Sequence, residues 1–160
     1  MKTGIRRAFA AVLLASACSA GAGDNESYDG VGFMQGSWTG SISIRNCVSG
    51  DVLAGPFKGI TTFHQGGTLS ETREASLTAP RGPGHGIWYR SGQRQFKVKL
   101  VFQRFDVNGF LAGTQEIRST NTVSRDSKTA VVSATFKVVD NNGVTLTTGC
   151  ASGESQRMQF

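Results

Sequence analysis

The side chains best suited to holding or transforming a small molecule are the polar set Glu71, Arg73, His85, Tyr89 and Gln115 and the apolar set Phe96, Phe102 and Phe136. Successive residues of a strand point to opposite faces, so parity decides which of them can meet. Glu71 and Arg73 share a parity with Leu69, Ala75 and Leu77; if the leucines point inward, both charges follow them. His85, Ile87 and Tyr89 share a parity against Trp88 and Arg90, and Gln115 lies with Leu111 and Ile117. A wet cluster facing a phenylalanine wall suits a small apolar or amphipathic ligand. The same residues also have a plainer reading. Glu71 and Arg73 would then be a rim ion pair of little energetic weight, Tyr89 and the phenylalanines core filler, and His85 a turn residue among glycines.

No catalytic or cofactor motif accompanies them. The chain has no Gly-x-Ser-x-Gly elbow, phosphate loop, Cys-x-x-Cys or His-Glu-x-x-His. Gly82-Pro83-Gly84-His85-Gly86 opens no helix and reads as a turn. His64 and His85 lack the partner spacing of a zinc site. No cofactor or metal is therefore expected. Two alternatives stand beside ligand binding. One is an isomerase- or cyclase-type enzyme with Glu71 or His85 as acid or base and Tyr89 as donor. The other is an interaction or inhibitor module acting through residues 48–56 and 79–84.

The formal charge of +6, from 17 basic and 11 acidic residues, is concentrated at one end. Lys2, Arg6 and Arg7 precede any acid, which leaves 14 basic against 11 acidic residues in the remainder. No block of like charge remains, so no nucleic-acid partner is expected. The basic opening, the apolar run 8–14 and the small residues 15–17 have the three parts of an export signal. Residues 1–17 are thus expected to be a signal peptide and residues 18–32 a flexible tether. Cleavage sites of the small-x-small type fall at 15–17 and 20–22. Cys18 also resembles a lipoprotein acceptor, although Ala15 stands where leucine is usual. The protein is expected in the bacterial periplasm or anchored to the outer membrane through Cys18, its sole membrane contact. Setting Cys18 aside leaves Cys47 and Cys150, an even pair that favours one disulfide in an oxidising compartment.

The elements that must position these residues are strands. Twenty-one glycines stand against three prolines, and turn signals at 48–56, 64–67, 79–84, 90–93, 106–109, 125–127 and 140–143 divide residues 33–160 into eight segments. Asn108-Gly109 and Asn142-Gly143 are strong hairpin cues. Phe96, Val98, Leu100 and Phe102 alternate with Lys97, Lys99, Val101 and Gln103, and the segment from Ala130 to Val139 alternates in the same way. Consecutive hairpins without a crossover predict an all-β, eight-stranded, antiparallel up-and-down barrel, closed by pairing of the first and last strands. Pairing Trp38 with Arg157 and Cys47 with Cys150 implies registers within one diagonal step of each other, so a disulfide would staple the barrel seam.

Gly36-Ser37-Trp38 at the start of the first strand, with Arg157 near the chain's end, resembles the Gly-x-Trp and late-arginine signature of the calycins, the lipocalin-, avidin- and fatty-acid-binding-type barrels. The resemblance implies that Arg157 packs over Trp38 to close one end, and that the barrel binds a ligand. It names no particular ligand.

Overall fold

The computed structural model describes residues 31–74 and 80–160; the expected signal peptide, Cys18 and most of the expected tether lie outside them. Eight antiparallel strands form one closed barrel: β1 (Gly36–Arg45), β2 (Val52–Phe63), β3 (Thr68–Arg73), β4 (Arg81–Arg90), β5 (Gln95–Phe105), β6 (Leu111–Val123), β7 (Thr129–Val139) and β8 (Thr145–Arg157). Each strand pairs with its neighbour in sequence, and β8 returns to β1 with Trp38 opposite Arg157. This is the fold that the period of two and the turn residues imply.

Two breaks differ from expectation. β2 begins at Val52, inside the segment read as a loop, because the bulge between the pairs Ile42–Phe57 and Ile44–Ala54 absorbs the irregular Gly55-Pro56 sequence. The glycine-rich stretch 82–86, read as a turn, belongs to β4. Pro83 is accommodated there because it projects outward at the irregularity between the Arg81 and Gly84 pairings with β5. Bulges are where a sheet tolerates proline.

The up-and-down order places the β2–β3, β4–β5 and β6–β7 turns at the end where β1 begins, and the other four connections at the opposite end. The first end is closed. A 3-10 turn, Val31–Phe33, leads into it, and the Trp38 indole donates to the Met34 carbonyl at 2.9 Å. The Arg157 guanidinium stacks 4.5 Å from the Trp38 ring, and it donates to the carbonyls of Gln35 and Phe33 and, at 2.8 Å, to that of Ser127. Burial lowers the pKa of this arginine from its ordinary value. One side chain thus ties the entry segment, the β6–β7 turn and the last strand over one indole face.

Above this seal lies the core of Met34, Trp38, Phe63, Leu69, Trp88, Phe96, Leu100, Val123 and Ala130. Trp88 sits edge-on to Phe63 and to Phe96, each at 5.8 Å, and donates its indole N–H to the Thr68 carbonyl at 2.8 Å. Burying each such side chain stabilises by about 1.5–3 kcal/mol, and each edge-on pair adds about 0.5–1.5. The closed half is therefore a packed floor rather than a lumen.

At the seam, Cys150 pairs with Arg45 in the β1–β8 ladder, and Cys47 lies just beyond the end of β1. Their α-carbons are 5.2 Å apart and the sulfurs are bonded. The disulfide therefore spans the diagonal step that the sequence registers differ by.

On the outer wall, Glu116 accepts from Arg118 at 2.6 Å and lies 3.1 Å from the Lys99 ammonium. Desolvation alone would raise its pKa; the Lys99 and Arg118 hydrogen bonds outweigh that and hold it below the ordinary carboxylate value. A depressed folded-state pKa contributes stability that is present above the unfolded-state value and is lost as pH falls through the folded-state one. Glu116→Gln is accordingly expected to cost less than about 1 kcal/mol at neutral pH, because the pairs are screened by solvent. Urea unfolding at neutral pH and again below the folded-state pKa checks this, the two proteins converging in acid.

Candidate functional site

The floor fills only part of the barrel. Toward the open end lies a cavity of about 260 Å³, lined by residues of all eight strands, with Arg81 contributed by β4, and bounded below by Trp38, Phe63 and Leu69. An eight-stranded barrel is just wide enough for side chains to fill it or for one small ligand. Here Gly40, Gly59, Ala134 and Ala151 stand where larger side chains would occupy the space. Phe57, Phe102, Phe136, Ile42, Ile44 and Ile117 form its apolar wall. The volume falls slightly below the roughly 300–1,000 Å³ of drug-sized ligand sites, which limits the occupant to a small molecule.

The mouth of this cavity is charged. Glu71 is 3% exposed, and Arg81 forms a two-pronged ion pair with its carboxylate, one prong at 3.3 Å and the other shorter. Arg73 approaches the same carboxylate at 3.4 Å. That contact is too poorly aligned to be a hydrogen bond, so the buried Arg73 Nε–H has no hydrogen-bond partner among the described residues. Burial lowers the Arg73 pKa, Glu71 opposes the shift and Arg81 adds to it. Arginine remains charged throughout the physiological range. The Arg81 guanidinium also lies 3.5 Å from the Phe102 ring centroid, and Arg104 and Glu74 complete the edge. Gly84 makes the cluster possible. A Cβ there would stand 2.7 Å from Leu100 Cδ1 and 2.9 Å from Glu71 Oε2, so any side chain would displace the carboxylate from its arginine.

Of the eight residues singled out for ligand contact, Glu71, Arg73, Phe102, Gln115 and Phe136 line this cavity. Phe96 lies in the packed floor beneath it. His85 and Tyr89 are corrected: both project from the outer wall, Tyr89 with 62% of its surface exposed. The register explains the reversal. Inward Leu69 stands opposite Gly86, so Gly84, Gly86 and Trp88 form the inner row of β4 and His85, Ile87 and Tyr89 the outer one. Two glycines contribute no side chain to an apolar count, and the row carrying Ile87 and Tyr89 therefore looks like the buried one. Trp88, on the opposite parity, is the buried one.

The acid–base constellation of Glu71, His85 and Tyr89 consequently does not assemble. No group of three or more His, Cys, Asp or Glu residues with metal-binding proximity occurs among the described residues. Sequence reading missed Arg81 and Arg104. Arg104 simply continues the inward series Phe96, Val98, Leu100, Phe102; Arg81 was hidden by taking residues 79–84 as a turn. No protein-family model matches the chain, and no curated protein matches it in sequence.

Proposed function

We propose that the protein binds a small amphipathic molecule inside the barrel, its apolar part on the phenylalanine and isoleucine wall and its polar end among Arg73, Arg81 and Arg104. The observation that carries this reading is the half-filled interior: a packed aromatic floor, an apolar chamber of about 260 Å³ above it and a buried ionic cluster at the mouth. A barrel whose role was only structural would gain stability by filling that space, since interiors are otherwise packed to crystal-like density. The arginine packed over Trp38 supports kinship with the calycins, whose ligand-binding habit agrees with the chamber. The leader sequence, together with a disulfide of the kind that persists in oxidising compartments, supports an exported envelope protein.

Fluorescence titration with 1-anilinonaphthalene-8-sulfonate, a small anionic amphiphile, tests the reading. Ala134→Phe and Ala151→Phe, which fill the chamber, are each expected to weaken binding about tenfold or more, because the site loses the volume that the probe occupies. Tyr89→Ala, on the outer wall, is expected to leave binding unchanged. Equal affinity in the filled and unfilled barrels would overturn the proposal.

A further inference from the structure

Among the described residues two polar side chains are buried, Glu71 and Asn121, with 3% and 5% of their surface exposed. The carboxylate of the first is met by two guanidiniums. The second has no such provision. Asn121 lies on β6, paired with Phe96 of the packed floor on one side and with Val132 of β7 on the other, and it lines the chamber. Its side chain makes one hydrogen bond among the described residues: Oδ1 accepts from the Ser119 hydroxyl at 2.9 Å. The amide nitrogen, which carries two donors, has no acceptor among them.

The fold itself gives no reason for an amide at this position. β6 is paired with β5 and β7 across this stretch, so its backbone needs no side chain to complete its hydrogen bonds. The same inward row carries apolar Ile117 and Val123 on either side. Asparagine is disfavoured in strands, and burying an amide with unused donors costs free energy that an apolar side chain would not. Buried polar groups are nearly always paired. The other unpaired buried donor, Arg73 Nε, belongs to a residue that lines the same chamber. The unspent donors thus converge on one space, one from the ionic cluster and one from the floor.

The free atoms beside the floor define the group they take. Ser119, which also lines the chamber, gives its proton to Asn121 and keeps the lone pairs of its oxygen. The pair therefore presents a donor, Asn121 Nδ2, next to an acceptor, Ser119 Oγ. Exchanging the amide oxygen and nitrogen reverses both roles: Nδ2 then donates to Oγ, which leaves the Oδ1 acceptor and the serine proton free. A ligand hydroxyl satisfies either arrangement, because it donates and accepts at once. A carbonyl or ether oxygen only accepts and would leave one of the two atoms unpaired. A carboxylate would bury a charge against the aromatic floor, away from the arginines.

We propose that Ser119 and Asn121 set the specificity of the chamber by binding a hydroxyl, alcoholic or phenolic, at the end of the ligand opposite the group held by the arginines. This deepens the ligand-binding reading and rests on it. The occupant is then polar at both ends and apolar between them, where Ile117, Phe102 and Phe136 form the wall. The probes that test this are 2-naphthoate and 6-hydroxy-2-naphthoate, which share a rigid skeleton and a carboxylate and differ only in the hydroxyl at the far end. Isothermal titration calorimetry gives the affinity of each for the wild type, Asn121→Leu and Ser119→Ala. The anilinonaphthalene dye is titrated alongside, and near-ultraviolet circular dichroism verifies that each barrel is folded.

The wild type is expected to prefer the hydroxylated probe about tenfold or more, because the parent compound leaves the buried pair unsatisfied. In each variant the preference is expected to fall to about twofold or less, since a single remaining partner holds the hydroxyl poorly. Ser119→Ala, the smaller change, carries the comparison if the leucine variant does not fold. A side chain that only supported the floor would shift both affinities together and leave their ratio at the wild-type value, which overturns the proposal. Absence of any preference in the wild type while the dye still binds overturns it as well, and the ligand-binding reading then stands. Failure of the dye and of both naphthoates to bind overturns that reading and this proposal with it.

Discussion

Replacing Cys47 with alanine is expected to lower stability by about 2–5 kcal/mol, a large fraction of the roughly 5–15 kcal/mol that holds a domain folded. The reason is the separation of the bonded residues. Cys47 and Cys150 lie 103 positions apart, so their bond closes a loop through nearly the whole barrel, and the chain-entropy model assigns about 4.7 kcal/mol to a loop of about 100 residues. The site of the bond adds to this. The β1–β8 ladder closes the cylinder, and its partners are the most distant in sequence of any pair of adjacent strands. Every other ladder joins strands linked by a turn and can re-form locally, whereas this one must bring together the two ends of the fold. Guanidinium unfolding of wild type, Cys47→Ala and the reduced wild type, followed by tryptophan fluorescence from Trp38 in the seam and Trp88 in the floor, provides the measurement. The alanine variant and the reduced protein should show the same displaced midpoint. A midpoint unchanged by either would mean that the ladder and the Arg157 clasp hold the seam without the bond.

How much of this was legible in the sequence depends on how locally each feature is determined. The strands are written in a period of two, and Asn-Gly turns signal themselves within a few residues, so eight strands and their antiparallel order follow from short windows. The seam was legible because two unrelated pairs, Trp38 with Arg157 and Cys47 with Cys150, imply nearly the same register. β4 was not legible from its own residues. Its apolar count favours the row of Ile87 and Tyr89, and only the pairing of Leu69 with Gly86 places Trp88 inside. A reading confined to one strand sees glycine as empty, while the barrel uses Gly84 as the space into which Glu71 and Arg81 fit. The cavity wall was anticipated where period and bulk agreed, as at Phe102 and Phe136. The arginines at the mouth were missed where a strand ran further than its turn signals suggested.

The ionic cluster at that mouth decides between the two sequence readings of Glu71, and removing its carboxylate gives the second large effect. Glu71→Gln is expected to cost about 3–5 kcal/mol, because it leaves the guanidiniums of Arg73 and Arg81 close together, mostly buried and without a counter-charge. A solvated rim pair would instead cost about 1 kcal/mol or less. Burial discriminates between them: the Glu71 side chain is 2% exposed and that of Arg81 is 9% exposed, so the large value is expected. The expected cost arises from the orphaned charge and not from the strength of the pair. The triple variant Glu71→Leu, Arg73→Leu, Arg81→Leu should therefore recover much of the loss, since apolar replacement of a whole buried ionic cluster is often neutral or stabilising. Urea unfolding of the three proteins at neutral pH separates the cases. The glutamine variant should also bind the anionic naphthalene probe more tightly than wild type, because the cavity mouth then carries uncompensated positive charge. A small loss with no gain in anion affinity would mean that water reaches the pair and that Arg73 and Arg81 play no part in holding the polar end of a ligand.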